Sequence, residues 1–339
     1  MFFLPFGRGL CMNAVNTSAA QTDGAGTVRR PVPGLTPGLT PGLQMQGLRF
    51  GYRSPLFDNF NAAIEGPGIY GLFGRNGTGK STLLKLLSGL LTPHDGLLRV
   101  LGYTPRQRAA EFLAQIYLLP EEFHLPDLKP AALPRNQGVF YPRFDASLFQ
   151  SYLDELEVPA DQRFSQMSLG QKKKATIAFA LATLTPVLLM DEPTNGLDIV
   201  SRAQFKRLMG RAEHAGRIVL ISTHQAHDLE SLLSHIWFIE GGKLCLSSDM
   251  QDLARYLAMG VAQSREELPA PEALIYSEPL GGQWAWLARR DARVASEPTP
   301  VQLELVYKAL SVHPGEVLAA VHAGQTPRRA AATAVKEGV

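Results

Sequence analysis

Gly74-Arg75-Asn76-Gly77-Thr78-Gly79-Lys80-Ser81 fits the spacing G-x-x-x-x-G-K-[ST], which is built to hold a polyphosphate. Glycines let the backbone curl so that successive N–H groups point inward, and the dipole of a following helix adds positive charge. Lys80 is placed to reach the β- and γ-phosphates and Ser81 to put its hydroxyl on Mg²⁺; the other loop residues and Thr82 complete the candidate nucleotide contacts. A second element, Leu188-Leu189-Met190-Asp191-Glu192-Pro193, ends an apolar run in two carboxylates. Asp191 suits a metal shell. Glu192 suits the base that orients attacking water, because phosphoryl transfer asks a protein chiefly for positioning and charge stabilisation.

These residues need rigid supports, and the flanking pattern supplies them. The apolar run 69–73 predicts a strand before the loop, and the leucine-rich stretch 82–91 a helix after it. Runs 187–190 and 218–221 are continuously apolar, as expected of parallel strands covered on both faces. Short β-type runs are predicted over 48–52, 60–64, 97–101 and 116–119, and 236–239 with 244–246 flank Gly241-Gly242 as a hairpin. Asp145 is a candidate N-cap for an amphipathic helix over 145–158. Ser168-x-x-Gln171 reads as a capping box opening a helix through Leu184. Its exposed N–H groups and Lys172, Lys173 and Lys174 could serve an anion, or form an ordinary capped helix with a solvated lysine run. A further hairpin (274–287) and helix (301–310) predict a small C-terminal appendage over 251–322.

The bulk properties narrow the class. The chain has 339 residues and a formal charge of +2, so nothing in the totals calls for nucleic acid. The stretch 175–190 is interrupted by Pro186 and reads as a helix followed by a strand; no apolar run approaches the roughly 18 residues of a membrane helix. Cys11 and Cys245 have no partner motif, which suits a reducing cytoplasm without structural disulfides or zinc. The Pro/Gly-rich residues 1–44 predict a disordered tail, with Met45 opening the folded unit, and 323–339 a flexible end. The apolar start of the chain lacks the charged region and length of a secretory signal.

Tyr52, the phosphate loop, Ser168-Leu169-Gly170-Gln171, Asp191-Glu192-Pro193, Asn195-Gly196-Leu197-Asp198 and Ser222-Thr223-His224 follow one another in an order that resembles the ATP-binding-cassette (ABC) ATPases. The resemblance covers about 45–246. It implies an α/β P-loop NTPase core with a mostly parallel sheet, an antiparallel β subdomain and an inserted helical subdomain over about 121–178, the whole ATPase domain spanning 45–250. Tyr52 resembles the aromatic that stacks on adenine. Ser168, Leu169, Gly170 and Gln171 resemble the signature that closes on the nucleotide of an opposite subunit, Asp198 the acidic residue of the dimer-interface loop, and His224 the switch histidine at the γ-phosphate. Two positions depart from the pattern: Leu169 stands where the signature has glycine, and Glu121 where a glutamine touches Mg²⁺.

The resemblance implies ATP and Mg²⁺ as cofactors, with Ser81, Asp191 and, partly through water, Glu121 at the metal, and Lys80, Glu192 and His224 in catalysis. It further implies a homodimer, or a heterodimer with another cassette, that powers a separate integral membrane permease from the cytoplasmic face of the inner membrane. The compact helical subdomain favours export, and its segment Phe140-Tyr141-Pro142-Arg143-Phe144 either docks the permease or fills the core. The alternative is a soluble cassette acting on nucleic acid or the ribosome. The single phosphate loop and the absence of a sustained heptad run argue against it. A small-molecule phosphotransferase would leave Ser168 to Gln171 and His224 without a role.

Overall fold

Strands in which every residue is buried need cover on both sides, and the central sheet provides that setting. The computed structural model describes residues 42–211, 214–224, 229–290 and 299–323. Six strands lie side by side in the order β5 (Ile116–Leu119), β6 (Val187–Asp191), β7 (Ile218–Ser222), β3 (Gly68–Phe73), β8 (His235–Glu240) and β9 (Lys243–Asp249). The first five are parallel and β9 returns antiparallel beside β8. Alternate residues serve opposite cores: Leu188, Met190, Val219, Ile221 and Phe238 on one face, Leu72, Leu189, Leu220 and Trp237 on the other.

The second face is covered by α1 (Lys80–Leu87) and by an antiparallel sheet in the order β2 (Pro55–Ile64), β1 (Leu43–Gly51), β4 (Asp95–Val100). Strand β1 begins at Leu43, fully buried and paired with Ile64 and Val100, so the sheet already includes the two residues before Met45. The expected tail up to residue 41 and the expected flexible end over 324–339 lie outside the described residues.

After two short helices, α2 (Ala110–Leu113) and α3 (Leu133–Asn136), the first face carries α4 (Ala146–Glu155), α5 (Leu169–Ala182), α6 (Ile199–Met209) and the appendage. Asp145 caps α4 by accepting the N–H groups of Ser147 and Leu148 at 2.8 and 2.9 Å. Both arms of the capping box at α5 form: Gln171 N–H to Ser168 Oγ at 3.2 Å and Ser168 N–H to Gln171 Oε1 at 3.0 Å. Helix α5 stops at Ala182, two residues short of the expected end, where Leu184 turns left-handed at φ 47°. The aromatic segment 140–144 divides. Tyr141 and Phe144 pack on Phe179 of α5, whereas Phe140 and its neighbour Val139 are exposed.

The appendage comprises α7 (Met250–Tyr256), β10 (Leu257–Ala262), β11 (Leu274–Leu280), β12 (Gln283–Arg289), α8 (Leu303–Val312) and α9 (Pro314–Ala323), with its strands ordered β10-β12-β11. Its core is continuous with that of the six-stranded sheet: Leu287, Leu303 and Val306 belong to the same cluster as Phe238. The expected architecture of a mostly parallel core with antiparallel and helical subdomains is the one seen.

Candidate functional site

Strand register decides what meets at the edge of the sheet. Leu72 and Asp191 both pair with Ser222, so the segments leaving β3, β6 and β7 emerge side by side at the carboxyl ends of three adjacent strands. That edge is where open α/β sheets bind ligands. It brings together the phosphate loop, Asp191, Glu192 and His224.

In the loop, Gly77 and Gly79 adopt φ 84° and 105°, a region that L-residues with side chains avoid. A Cβ on Gly79 would also strike the Phe57 ring at 2.6 Å, so the antiparallel subdomain presses on the loop at that point. Lys80 folds back over the curl, donating to the carbonyls of Gly74 at 2.7 Å and Arg75 at 3.1 Å, and Thr78 Oγ1 donates to Arg75 O at 2.8 Å. No side chain caps the start of α1, which leaves its first-turn N–H groups for an anionic ligand. Burial pulls the Lys80 ammonium below the usual lysine range, and Glu192, Asp191 and Glu121 oppose that shift. Curled amides, an uncapped helix start and a buried cation fit a nucleotide triphosphate.

Asp191 and Glu192 do different work although adjacent. Asp191 Oδ1 accepts the hydroxyls of Ser81 at 3.0 Å and Ser222 at 2.5 Å, which ties the loop to β6 and β7. Ser81 and Asp191 together offer one hydroxyl and one carboxylate, a donor set that suits Mg²⁺ when phosphate and water supply its other ligands. Glu192 points elsewhere: its Oε1 lies 3.0 Å from His224 Nδ1, and the carboxylate is almost wholly buried. The expected base and the expected switch histidine are therefore in direct contact.

Glu192 is held in the left-handed region at φ 45°, a conformation that costs a non-glycine residue about 1–3 kcal/mol and persists only where surroundings enforce it. The enforcement is visible. Its N–H donates to Ser222 O and Oγ, each at 3.1 Å, and its carbonyl accepts from Lys173 Nζ at 2.7 Å. Lys173 also donates to Asn195 O at 2.8 Å. This corrects the reading of the lysine run as a solvated or anion-facing group: Lys172 and Lys174 are part-exposed, but Lys173 is turned inward and buried. Burial pulls its ammonium downward too, opposed by Glu121, Glu192 and Asp191. From Ala175 onward α5 is buried on every side, so no apolar stripe marks an inner face that could have exposed this role in the sequence.

The remaining candidates lie around this centre. Glu121, two residues past the end of β5, accepts Asn195 Nδ2 at 2.9 Å. Tyr52 is 66% exposed, meets Phe50 edge-on with centroids 5.2 Å apart, and holds its hydroxyl 3.5 Å from Thr82 Oγ1 next to the loop. Ser168, Leu169 and Asp198 are exposed; Gly170 and Gln171 are part-buried at the start of α5. Asp198 caps α6 by accepting Ser201 N–H at 2.7 Å.

The ABC transporter family matches residues 57–195, which takes in the phosphate loop, the start of α5 and the Asp191-Glu192 turn. Among relatives, the Nod factor export ATP-binding protein I of Cupriavidus metallidurans is 31% identical over 208 residues, 59% of this chain and 69% of that protein. The bacitracin transport ATP-binding protein BcrA of Bacillus licheniformis is 30% identical over 194 residues, 55% of this chain and 62% of its own length. A solved ATP-binding subunit of an ABC transporter shares the fold at a TM-score of 0.57 and 23% identity, covering 63% of this chain and 92% of that one. With the loop, the carboxylate pair, the histidine and the capped helix in place, and with a relative 31% identical over 69% of its own length, the chain belongs to the ABC transporter family.

Proposed function

We propose that this chain is the ATP-hydrolysing subunit of a transporter and drives substrate outward through a separate membrane permease. The observation that carries the catalytic part is the contact of Glu192 with His224 at the sheet edge beside Lys80. Glu192 takes the proton of the attacking water, His224 holds that carboxylate and the γ-phosphate region in register, and Lys80 with the loop amides stabilises the phosphates. Ser81 and Asp191 would hold Mg²⁺, with Glu121 reaching it through water. The ion would supply charge neutralisation across the phosphates.

Two copies form the working unit. The loop around Lys80 in one and the α5 tip at Ser168 in the other enclose each ATP, Tyr52 stacks on adenine, and Asp198 lies at the seam. Exposure of Leu169, Ile199 and Val200 supports such a contact, since large apolar groups left in solvent mark surfaces that pair. A heterodimer with a second cassette is the other arrangement. Exposed Val139 and Phe140 in the helical subdomain provide the permease contact on the cytoplasmic face of the membrane. No helix among the described residues is long and apolar enough to cross a membrane. The relatives named above carry export or transport in their names, which favours this reading over a soluble cassette acting on nucleic acid or the ribosome.

The test uses the Glu192→Gln variant, which should bind ATP without hydrolysing it. Light scattering should show dimers with Mg-ATP and monomers without. A polytopic membrane protein should co-purify from detergent-solubilised membranes. A variant that stays monomeric at saturating ATP would sink the two-copy arrangement, and absence of any membrane partner would sink the transport role.

A further inference from the structure

The edge of the sheet carries one carboxylate that the ATPase chemistry does not use. Glu240 ends β8, and because Phe73 pairs with Phe238, it lies alongside the entry to the phosphate loop. The approach is close: a Cβ on Gly74 would sit 2.3 Å from Ile239 O, so the backbone at the end of β8 lies directly against the start of the loop. The Glu240 carboxylate is covered by the appendage. Tyr307 of α8 donates its hydroxyl to Glu240 Oε2 at 2.9 Å. The Tyr307 ring stacks on Phe238 with centroids 5.5 Å apart, and Phe238 packs on Phe73, the last residue before the loop, at 5.4 Å. The start of α8 is tied down as well, with Leu303 N–H donating to Glu230 Oε1 at 2.7 Å in the segment that follows His224.

We propose that Tyr307 is a positioning residue for the phosphate loop, through which the C-terminal appendage sets the affinity for ATP. The proposal rests on the reading of the Lys80 loop as the ATP site. The Tyr307 hydroxyl also lies within electrostatic reach of Arg75, the second residue of the loop, whose charge and backbone N–H act to lower the phenol against burial and Glu240. One hydroxyl thus ties the appendage to the end of β8, which lies against the loop entry. Burial and the Glu240 carboxylate push the phenol above its ordinary range, so it stays protonated and keeps donating. A loop held in its curled form before ligand arrives spends less conformational entropy on binding, so loss of the tether weakens ATP binding. Tyr307 touches none of the reacting groups, and the maximal rate set by Glu192 is left intact.

The smallest change that reads this is Tyr307→Phe in the full chain, which removes the hydroxyl and keeps the ring stack. Loss of the bond to the Glu240 carboxylate, felt only in part at the loop, should raise both the Kd for ATP by calorimetry and the KM about threefold to tenfold, with kcat unchanged. Tm should fall by no more than about 4 °C. Amide exchange over residues 74–77, measured without nucleotide, should quicken in the variant. Glu240→Gln should shift Kd in the same direction, because an amide weakens the acceptor that fixes the phenol. Wild-type Kd together with unchanged exchange over 74–77 in Tyr307→Phe would overturn the proposal. Because exchange is read without nucleotide, it decides the tether by itself, whereas failure of the wild-type chain to bind ATP would overturn the nucleotide reading alone.

Discussion

The ammonium of Lys173 lies 2.7 Å from the main-chain oxygen of Glu192 and 2.8 Å from that of Asn195. Lys173 sits in the second turn of α5, whose first turn holds the tip at Ser168. One buried cation therefore fixes the turn at Glu192 to the helix that the proposed two-copy arrangement would present to the nucleotide of its neighbour. Displacement of that helix by closure on the neighbouring ATP would be felt at Glu192 within the same subunit.

Lys173→Met should remove the charged donor from both carbonyls, leaving Glu192 O only the Asn195 N–H at 3.2 Å, and loosen the hold on the strained φ of Glu192. Since a hydrogen bond to a charged group contributes about 1.5–3 kcal/mol, kcat should fall on the order of tenfold to a hundredfold, with KM for ATP within about twofold. Lys173→Gln should recover much of the loss, because an amide nitrogen carries two donors. Steady-state ATPase kinetics on the two variants check this; equal kcat for Met and Lys at position 173 would remove the role.

Glu192→Gln should keep its shape and its contact with His224 but cannot take a proton. Turnover should drop at least about a hundredfold, the usual scale for losing a general base. Calorimetry should find the Kd for ATP within about threefold of wild type, because ground-state contacts to the phosphates come from the loop. Hydrolysis at the wild-type rate would move the catalytic role to another residue.

The site was legible to the extent that its chemistry is local in the chain. The curl of the loop, the carboxylates at the end of β6 and the capping box at Ser168 each depend on residues within a few positions, and the structure has the curl, the strand end and the box. Continuous apolar runs likewise gave β6 and β7, because double-sided burial leaves no polar alternation. What escaped depends on tertiary direction. Lys173 lies between two part-exposed lysines, and nothing around it in the chain separates an inward from an outward lysine. Segment 140–144 gave no basis for placing Tyr141 and Phe144 inside and Phe140 outside, since short 3₁₀ and irregular backbone lacks a fixed period. Helix α8 was visible as a helix, but its seat against Phe238 and Glu240 joins residues 67 or more positions apart.

Leu169 occupies the first position of α5 and is 72% exposed, so the fold does not need its bulk. If the tip closes on the partner's triphosphate, that side chain stands in the contact. Leu169→Gly should then raise kcat about threefold at saturating ATP, through better closure rather than altered chemistry. Glycine in an exposed helix costs up to about 1 kcal/mol, so Tm should drop by only about 2–4 °C. A lower or unchanged kcat would show that the leucine is neutral or helpful in the closed state.

Asp191 accepts two hydroxyls on one oxygen, and those bonds aim the carboxylate at the position beside Ser81 where a metal bound to phosphate would sit. Asp191→Asn retains an oxygen for Ser81 and Ser222 but deletes the negative charge. The Mg²⁺ concentration for half-maximal ATPase activity should rise at least about tenfold, since the ion loses its one anionic protein ligand of the Ser81–Asp191 pair. ATP binding measured in the presence of a chelator should be nearly unchanged, because Lys80 and the loop amides are untouched. The two readouts separate a metal role from a scaffold role. A variant that loses ATP binding without metal would mean that Asp191 serves mainly to hold the loop through Ser81, whereas an unshifted Mg²⁺ requirement with normal binding would place the ion on other residues.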